Sequence, residues 1–255
     1  MPHSSYIRVV PGSRCAVLFL HGILGTPRHF DFLLESIPAD WSVYNMQLDG
    51  HGGTLRDFTE SSMVRWQAQT DLTLDALRTR HECITVVTHS MGGLLALASA
   101  VKNGEKLRGM LLLSPALCIG VKPVACLNAL RVALDKIPPG NALAAATKRA
   151  CGVAPEKRLW RYLTALPRFI ELLAKAHRVR HLLGLVRTPC HLVFCRRDEL
   201  VGLRSARCAA GRPGFSVEIL EHSGHFYYSE EDKELLRAAL RALVCRTQAQ
   251  QGPPA

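Results

Sequence analysis

Short apolar runs alternate with amphipathic stretches along most of this chain. Ala16-Val17-Leu18-Phe19-Leu20 is apolar throughout, as is Met110-Leu111-Leu112-Leu113. Unbroken runs of this length suit strands buried on both faces of a parallel sheet. The pattern predicts strands at 15–20, 43–48, 83–88, 109–113, 191–195 and 216–220, with an edge strand at 6–10. Helical spacing occupies 29–37, 64–80, 91–103, 202–209 and 231–245. Strands alternating with helices imply right-handed crossovers, and so an α/β fold: a mostly parallel sheet flanked by helices.

One segment breaks the alternation. From 118 to 186 the spacing is helical without a convincing strand, punctuated by Pro123, Pro138-Pro139-Gly140, Pro155 and Pro167. It reads as short helices inserted after the strand at 109–113, over the crevice where open α/β sheets bind ligands. The expected organisation is a core of 1–117 and 187–247, a helical lid at 118–186, and frayed ends at 1–5 and 248–255.

A length of 255 residues and 48% hydrophobic content fit one large domain with a substantial core. The apolar runs are too short to span a bilayer, and no secretory signal precedes them. Nine cysteines without C-x-x-C spacing predict free thiols in a reducing cytoplasm rather than a disulfide framework. Neither a metal nor a cofactor is expected. The net charge of +11 is concentrated between 118 and 185, where twelve Lys or Arg face three acids. No aromatic platform or nucleic-acid motif accompanies them, so the basic segment reads as a solvated helical face, with attraction to anionic substrates or a membrane surface as the other readings.

The chemistry centres on Thr88-His89-Ser90-Met91-Gly92-Gly93, which follows the apolar run Ile84-Thr85-Val86-Val87 and precedes the helical Leu94-Leu95-Ala96-Leu97-Ala98. Strand, tight turn with a central Ser, then helix lifts a hydroxyl above the sheet, and glycines let strand and helix approach. A Ser nucleophile needs a base and a carboxylate to orient it. Asp198 follows the strand at 191–195, and His225 follows the strand at 216–220. Glu199 and His222 are their neighbouring competitors. His21, His51 and His89 read as packing or loop-shaping residues, Ser114 as structural, and Cys118 and Cys126 as inert thiols.

Six motifs occur in order: His21-Gly22-Ile23-Leu24-Gly25-Thr26-Pro27, Gly50-His51-Gly52, Trp66 with Asp71, the Ser90 turn, Asp198 with Val201, and Ser223-Gly224-His225. Together they resemble the α/β-hydrolase superfamily, most closely small bacterial carboxylesterases and monoacylglycerol lipases. Thr88 departs from the family's G-x-S-x-G. The resemblance implies Ser90 as nucleophile, His225 as base and acid, Asp198 as its orienting carboxylate, and the amides of Ile23 and Met91 as the oxyanion hole. It implies a small-molecule ester substrate with no nucleic-acid partner, peripheral membrane contact being compatible with it. Ser90 excludes the haloalkane dehalogenases and epoxide hydrolases, which carry Asp at this turn. Thioester or carbon–carbon bond hydrolysis uses the same triad and stays open, acyl-CoA being suggested by the basic lid, as does a non-catalytic binding protein on the same scaffold. Leu127, Leu130, Leu134, Leu143, Leu159, Leu163, Leu166, Phe169 and Leu173 are the candidate lining of an acyl pocket.

Overall fold

Seven strands form one sheet: β1 (Tyr6–Arg8), β2 (Cys15–Leu20), β3 (Ser42–Met46), β4 (Cys83–His89), β5 (Leu107–Leu113), β6 (Cys190–Cys195) and β7 (Phe215–Leu220). This is a computed structural model, and it describes residues 4–249. The strand order is β1-β3-β2-β4-β5-β6-β7, parallel except for β1, which runs antiparallel to β3. The mostly parallel sheet expected from the pattern is therefore present. Every residue of β2 and β4 is buried, as their unbroken apolar character requires.

Alternate side chains of each strand feed two cores. Ala16, Leu18 and Leu20 join one with Trp66, Leu74 and Leu94, while Val17 and Phe19 join the other with Phe30, Leu236 and Leu240. The helices are α1 (Leu55–Glu60), α2 (Met63–Arg80), α3 (Met91–Lys102), α4 (Pro123–Ala133), α5 (Ala142–Ala150), α6 (Leu166–Leu182), α7 (Arg204–Ala209) and α8 (Glu230–Ala249). Helices α4, α5 and α6 lie between β5 and β6, within the segment expected to be helical. Among the described residues no helix is long and apolar enough to cross a membrane.

Several expectations need correction. The helix expected at 29–37 is a 3-10 helix over Pro27–Ser36, whose buried Pro27, Phe30, Leu33 and Ser36 recur every third residue, the period of that helix. The six-residue α1 was too short to show a period, although its Thr54–Asp57 capping box is complete. The final helix runs through Gln248 to Ala249, two positions of the expected frayed end, while the rest of that end, 250–255, and residues 1–3 lie outside the described residues. Cys15 and Cys83 are not free thiols: they form a disulfide, Cα–Cα 4.8 Å. They sit directly opposite each other in the parallel β2–β4 register, a neighbourhood that 68 intervening positions conceal in the sequence. The other seven cysteines are free.

The topology itself locates a crevice. The chain leaves β2 toward β3 on one side and, from β4, toward β5 on the other, so the order reverses between β2 and β4. Ligands bind beyond the carboxyl ends of strands at such a point. Ile23 follows β2 there, and Ser90 follows β4.

Candidate active site

Ser90 sits between β4 and α3 with φ 53° and ψ −116°, a conformation that side chains other than glycine rarely adopt. Its N–H donates to Leu113 O (2.9 Å) and its carbonyl accepts from Gly93 N–H and Ala116 N–H (3.1 and 3.2 Å). These bonds hold the turn against β5 and offset the strain. The turn also needs Gly92, because a Cβ there would lie 2.1 Å from Leu20 O. Thr88 is tolerated at the other side of the turn, where its buried Oγ1 has no hydrogen-bond partner among the described residues. Ser114 also has positive φ (41°), but its hydroxyl is turned to Cys195 Sγ (4.0 Å).

The strand ends bring Asp198 and His225 together. Asp198 Oδ2 lies 2.9 Å from His225 Nδ1, both residues buried. Asp198 Oδ1 accepts from Leu200 N–H (2.8 Å) and Val201 N–H (2.7 Å), which fixes the carboxylate plane. Burial opposes the Asp198 charge, but the His225 charge and hydrogen bond with these two amides hold its carboxyl below the ordinary value. Burial likewise opposes the charge on His225, yet Asp198, assisted by Glu199, lifts the imidazole above its ordinary pKa. The neighbouring Glu199 turns one oxygen to the His225 N–H (3.0 Å) rather than to the imidazole, and His222 does not meet Asp198. Among the described residues no hydrogen bond joins Ser90 to His225; the two line one cavity.

His21 and His89 are buried and hydrogen-bonded to the backbone. His21 Nε2 accepts from Leu48 N–H (3.1 Å), which assigns the proton to Nδ1 and its donation to Gly22 O (2.8 Å). His89 Nε2 lies 3.0 Å from His225 O, where it donates, steadying the loop behind the imidazole. Burial, with His29 and His225 nearby, pushes the His89 pKa well down and keeps the ring neutral. Trp66 Nε1–H donates to Asp49 O (2.7 Å), and Asp71 accepts from Ser99, Gln67 and Lys102, so this motif braces α2 rather than touching the cavity.

The loop after β2 closes on the serine. A Cβ on Gly22 would lie 2.9 Å from Ser90 Cβ, which puts the following residue, Ile23, beside the turn. Met91 begins α3, where a backbone N–H has no intrahelical acceptor. The loop is also tied to the insertion: Gly152 N–H donates to Leu24 O (2.7 Å) and Gly52 N–H to Gly152 O (2.6 Å). A Cβ on Gly152 would lie 2.1 Å from Gly25 O, so glycine is required for that approach.

Ser90, His225 and Ile23 share a cavity of about 560 Å³ with the insertion. Of the nine apolar residues expected to line it, Leu130, Leu159 and Phe169 do. Leu127, Leu134, Leu163, Leu166 and Leu173 are exposed and do not line it, and Leu143 is half-buried near Gly224. Small residues that the sequence reading passed over, Ala125, Ala129 and Ala133, supply the α4 wall. Their i, i+4 spacing was the available signal. Cys126 also lines the cavity, while Cys118 Sγ lies 3.5 Å from Cys208 Sγ. None of the insertion's Lys or Arg residues lines the cavity.

The sequence model of the alpha/beta hydrolase family matches residues 17–239. No curated protein matches the chain in sequence. Among solved structures, the chain is similar to one described with LipS and LipT, two metagenome-derived lipolytic enzymes, at 24% identity and TM-score 0.75, covering 96% of this chain and 98% of that one. It is similar to the monoacylglycerol lipase of Paleococcus ferrophilus at 20% identity and TM-score 0.65, covering 96% and 100%. It is also similar to Est1E of Butyrivibrio proteoclasticus, solved with ferulic acid bound, at 17% identity and TM-score 0.65, covering 96% and 95%.

Proposed function

The chain belongs to the α/β-hydrolase family, and on that premise we propose that it is a serine hydrolase cleaving carboxylic esters of small to medium acyl chains through an acyl-enzyme. Ser90 Oγ attacks the ester carbonyl while His225 Nε2 takes its proton. Asp198 holds the proton on His225 Nδ1 and offsets the imidazolium charge. The amides of Ile23 and Met91 receive the oxyanion, each such donor contributing about 2.7–4 kcal/mol. The imidazolium then protonates the leaving alcohol, and water activated by His225 releases the acid. Residues 118–186 act as the lid, with 1–117 and 187–247 as the catalytic core.

The observation that carries this reading is the joint exposure of Ser90 and of the Asp198-bound His225 to one largely apolar cavity. The lining suits an uncharged acyl chain, and the monoacylglycerol lipase similarity agrees with such a substrate. Acyl-CoA hydrolysis was suggested by the basic insertion, but those cations lie away from the cavity wall. Fluorophosphonate labelling of wild type and Ser90→Ala, followed by turnover of p-nitrophenyl esters of increasing length, tests the proposal. Labelling of wild type alone and ester turnover are expected. Equal labelling of both proteins would sink the nucleophile assignment, and much faster cleavage of acyl-CoA would overturn the substrate class.

A further inference from the structure

The cavity wall carries a carboxylate that the proposed triad leaves unused. Glu199 is 4% exposed, yet it lines the same cavity as Ser90 and His225. Three contacts fix it there. Oε2 accepts from His225 N–H (3.0 Å), its backbone carbonyl accepts from Lys122 N–H (2.9 Å), and Gly224 makes room for it, since a Cβ at 224 would lie 2.8 Å from Oε2. Oε1 takes no hydrogen bond from the described residues. No Lys or Arg lines the cavity to balance the charge. The titratable groups that feel its charge are His225, Tyr228 and Cys195, and of these only His225 can become a cation.

We propose that Glu199 is a specificity-determining residue that admits esters with neutral or cationic groups near the scissile bond and rejects those carrying a carboxylate there. Like charges inside an apolar wall repel far more strongly than in water. A substrate carboxylate placed beside Glu199 therefore destabilises the bound state and the transition state together. A trimethylammonium at the same place gains by the same physics. The inference rests on the ester-hydrolase reading.

Three p-nitrophenyl esters of similar acyl length test it: one with a plain alkyl chain, one ending in a carboxylate and one ending in trimethylammonium. Glu199→Gln keeps an oxygen to accept the His225 N–H and removes the charge. In wild type, kcat/KM for the carboxylate ester is expected to fall roughly tenfold or more below the alkyl ester. In Glu199→Gln that ratio should rise severalfold, while the trimethylammonium ester should lose relative to the alkyl ester. Opposite movement of the two charged esters is the signature, because a merely structural defect lowers all three by one factor. A uniform loss, or unchanged ratios, would overturn the proposal. Absence of turnover of every ester in wild type would instead overturn the hydrolase reading, and the charge proposal with it.

Discussion

Replacing Asp198 by Asn separates geometry from charge at the proposed triad, and the structure dictates which way the new amide faces. Asp198 Oδ1 accepts from two backbone N–H groups at 2.8 and 2.7 Å, whereas Oδ2 alone faces His225 Nδ1. An Asn must keep its carbonyl oxygen on the two amides, because an NH₂ there would oppose two donors. Its NH₂ then faces Nδ1, which accepts only when the ring proton has moved to Nε2. That tautomer cannot take the Ser90 proton. The expected loss is about 10⁴-fold in kcat, equivalent to about 5.4 kcal/mol of transition-state stabilisation at 1.36 kcal/mol per decade. The assay is steady-state hydrolysis of p-nitrophenyl butyrate, with thermal unfolding as the control for an intact fold. A folded Asp198→Asn protein within about tenfold of wild type would refute the reasoning. Collapse in Glu199→Gln instead would transfer the orienting role to the neighbouring carboxylate.

His225 must be neutral to act as the proposed base, and Asp198 raises its pKa above the ordinary 6.5, so kcat/KM should fall as pH drops through a midpoint above 6.5. The facing groups are Asp198, Glu199, His29 and His89; Glu199→Gln removes a raising charge and should move the midpoint down in a pH–rate profile. Gly92→Ala drives a methyl into Leu20 O, a backbone atom at 2.1 Å, and should cost about 3 kcal/mol, read as a Tm drop of roughly 6–12 °C. Gly93→Ala meets Pro115 Cβ at 2.9 Å and Thr88 Oγ1 at 3.3 Å, and should cost less in the same melt; an equal or larger drop would contradict the packing. Ala129→Phe places a ring in the cavity wall and should suppress long-chain p-nitrophenyl esters before short ones, whereas uniform loss across chain lengths would place the acyl group elsewhere.

The sheet was legible because its strands are short, apolar and separated by helical spacing. Its register was not, which is why the meeting of Cys15 with Cys83 escaped the pattern. Asp198 and His225 could be nominated because each follows a strand, although only folding shows that Oδ2 and Nδ1 meet. The inserted helices were read correctly as amphipathic, but of their large apolar residues only Leu130, Leu159 and Phe169 among those expected line the cavity. Leu127 and Leu163 look like pocket residues by hydrophobicity, yet they are exposed and lie outside the lining, to which Ala125, Ala129 and Ala133 contribute. Volume left empty attracts no notice in a hydropathy pattern. Glu199 was weighed only as a competitor of Asp198, because the sequence does not show that its carboxylate turns to the His225 amide.

The paired amides at Gly152 give the insertion a second duty. Through Leu24 O and Gly52 N–H it is spliced by main-chain bonds into the loop after β2, which borders Ser90, and into the loop after β3. A chain trimmed of 118–186 would accordingly not be an open, more permissive version of the same catalyst. It would lose the buttress that sets the position of Ile23, and with it the preorganisation of the carbonyl pocket. Any widening that admits a substrate must come from parts of the insertion remote from that splice, such as α4 and its join to α5, while Gly152 stays fixed.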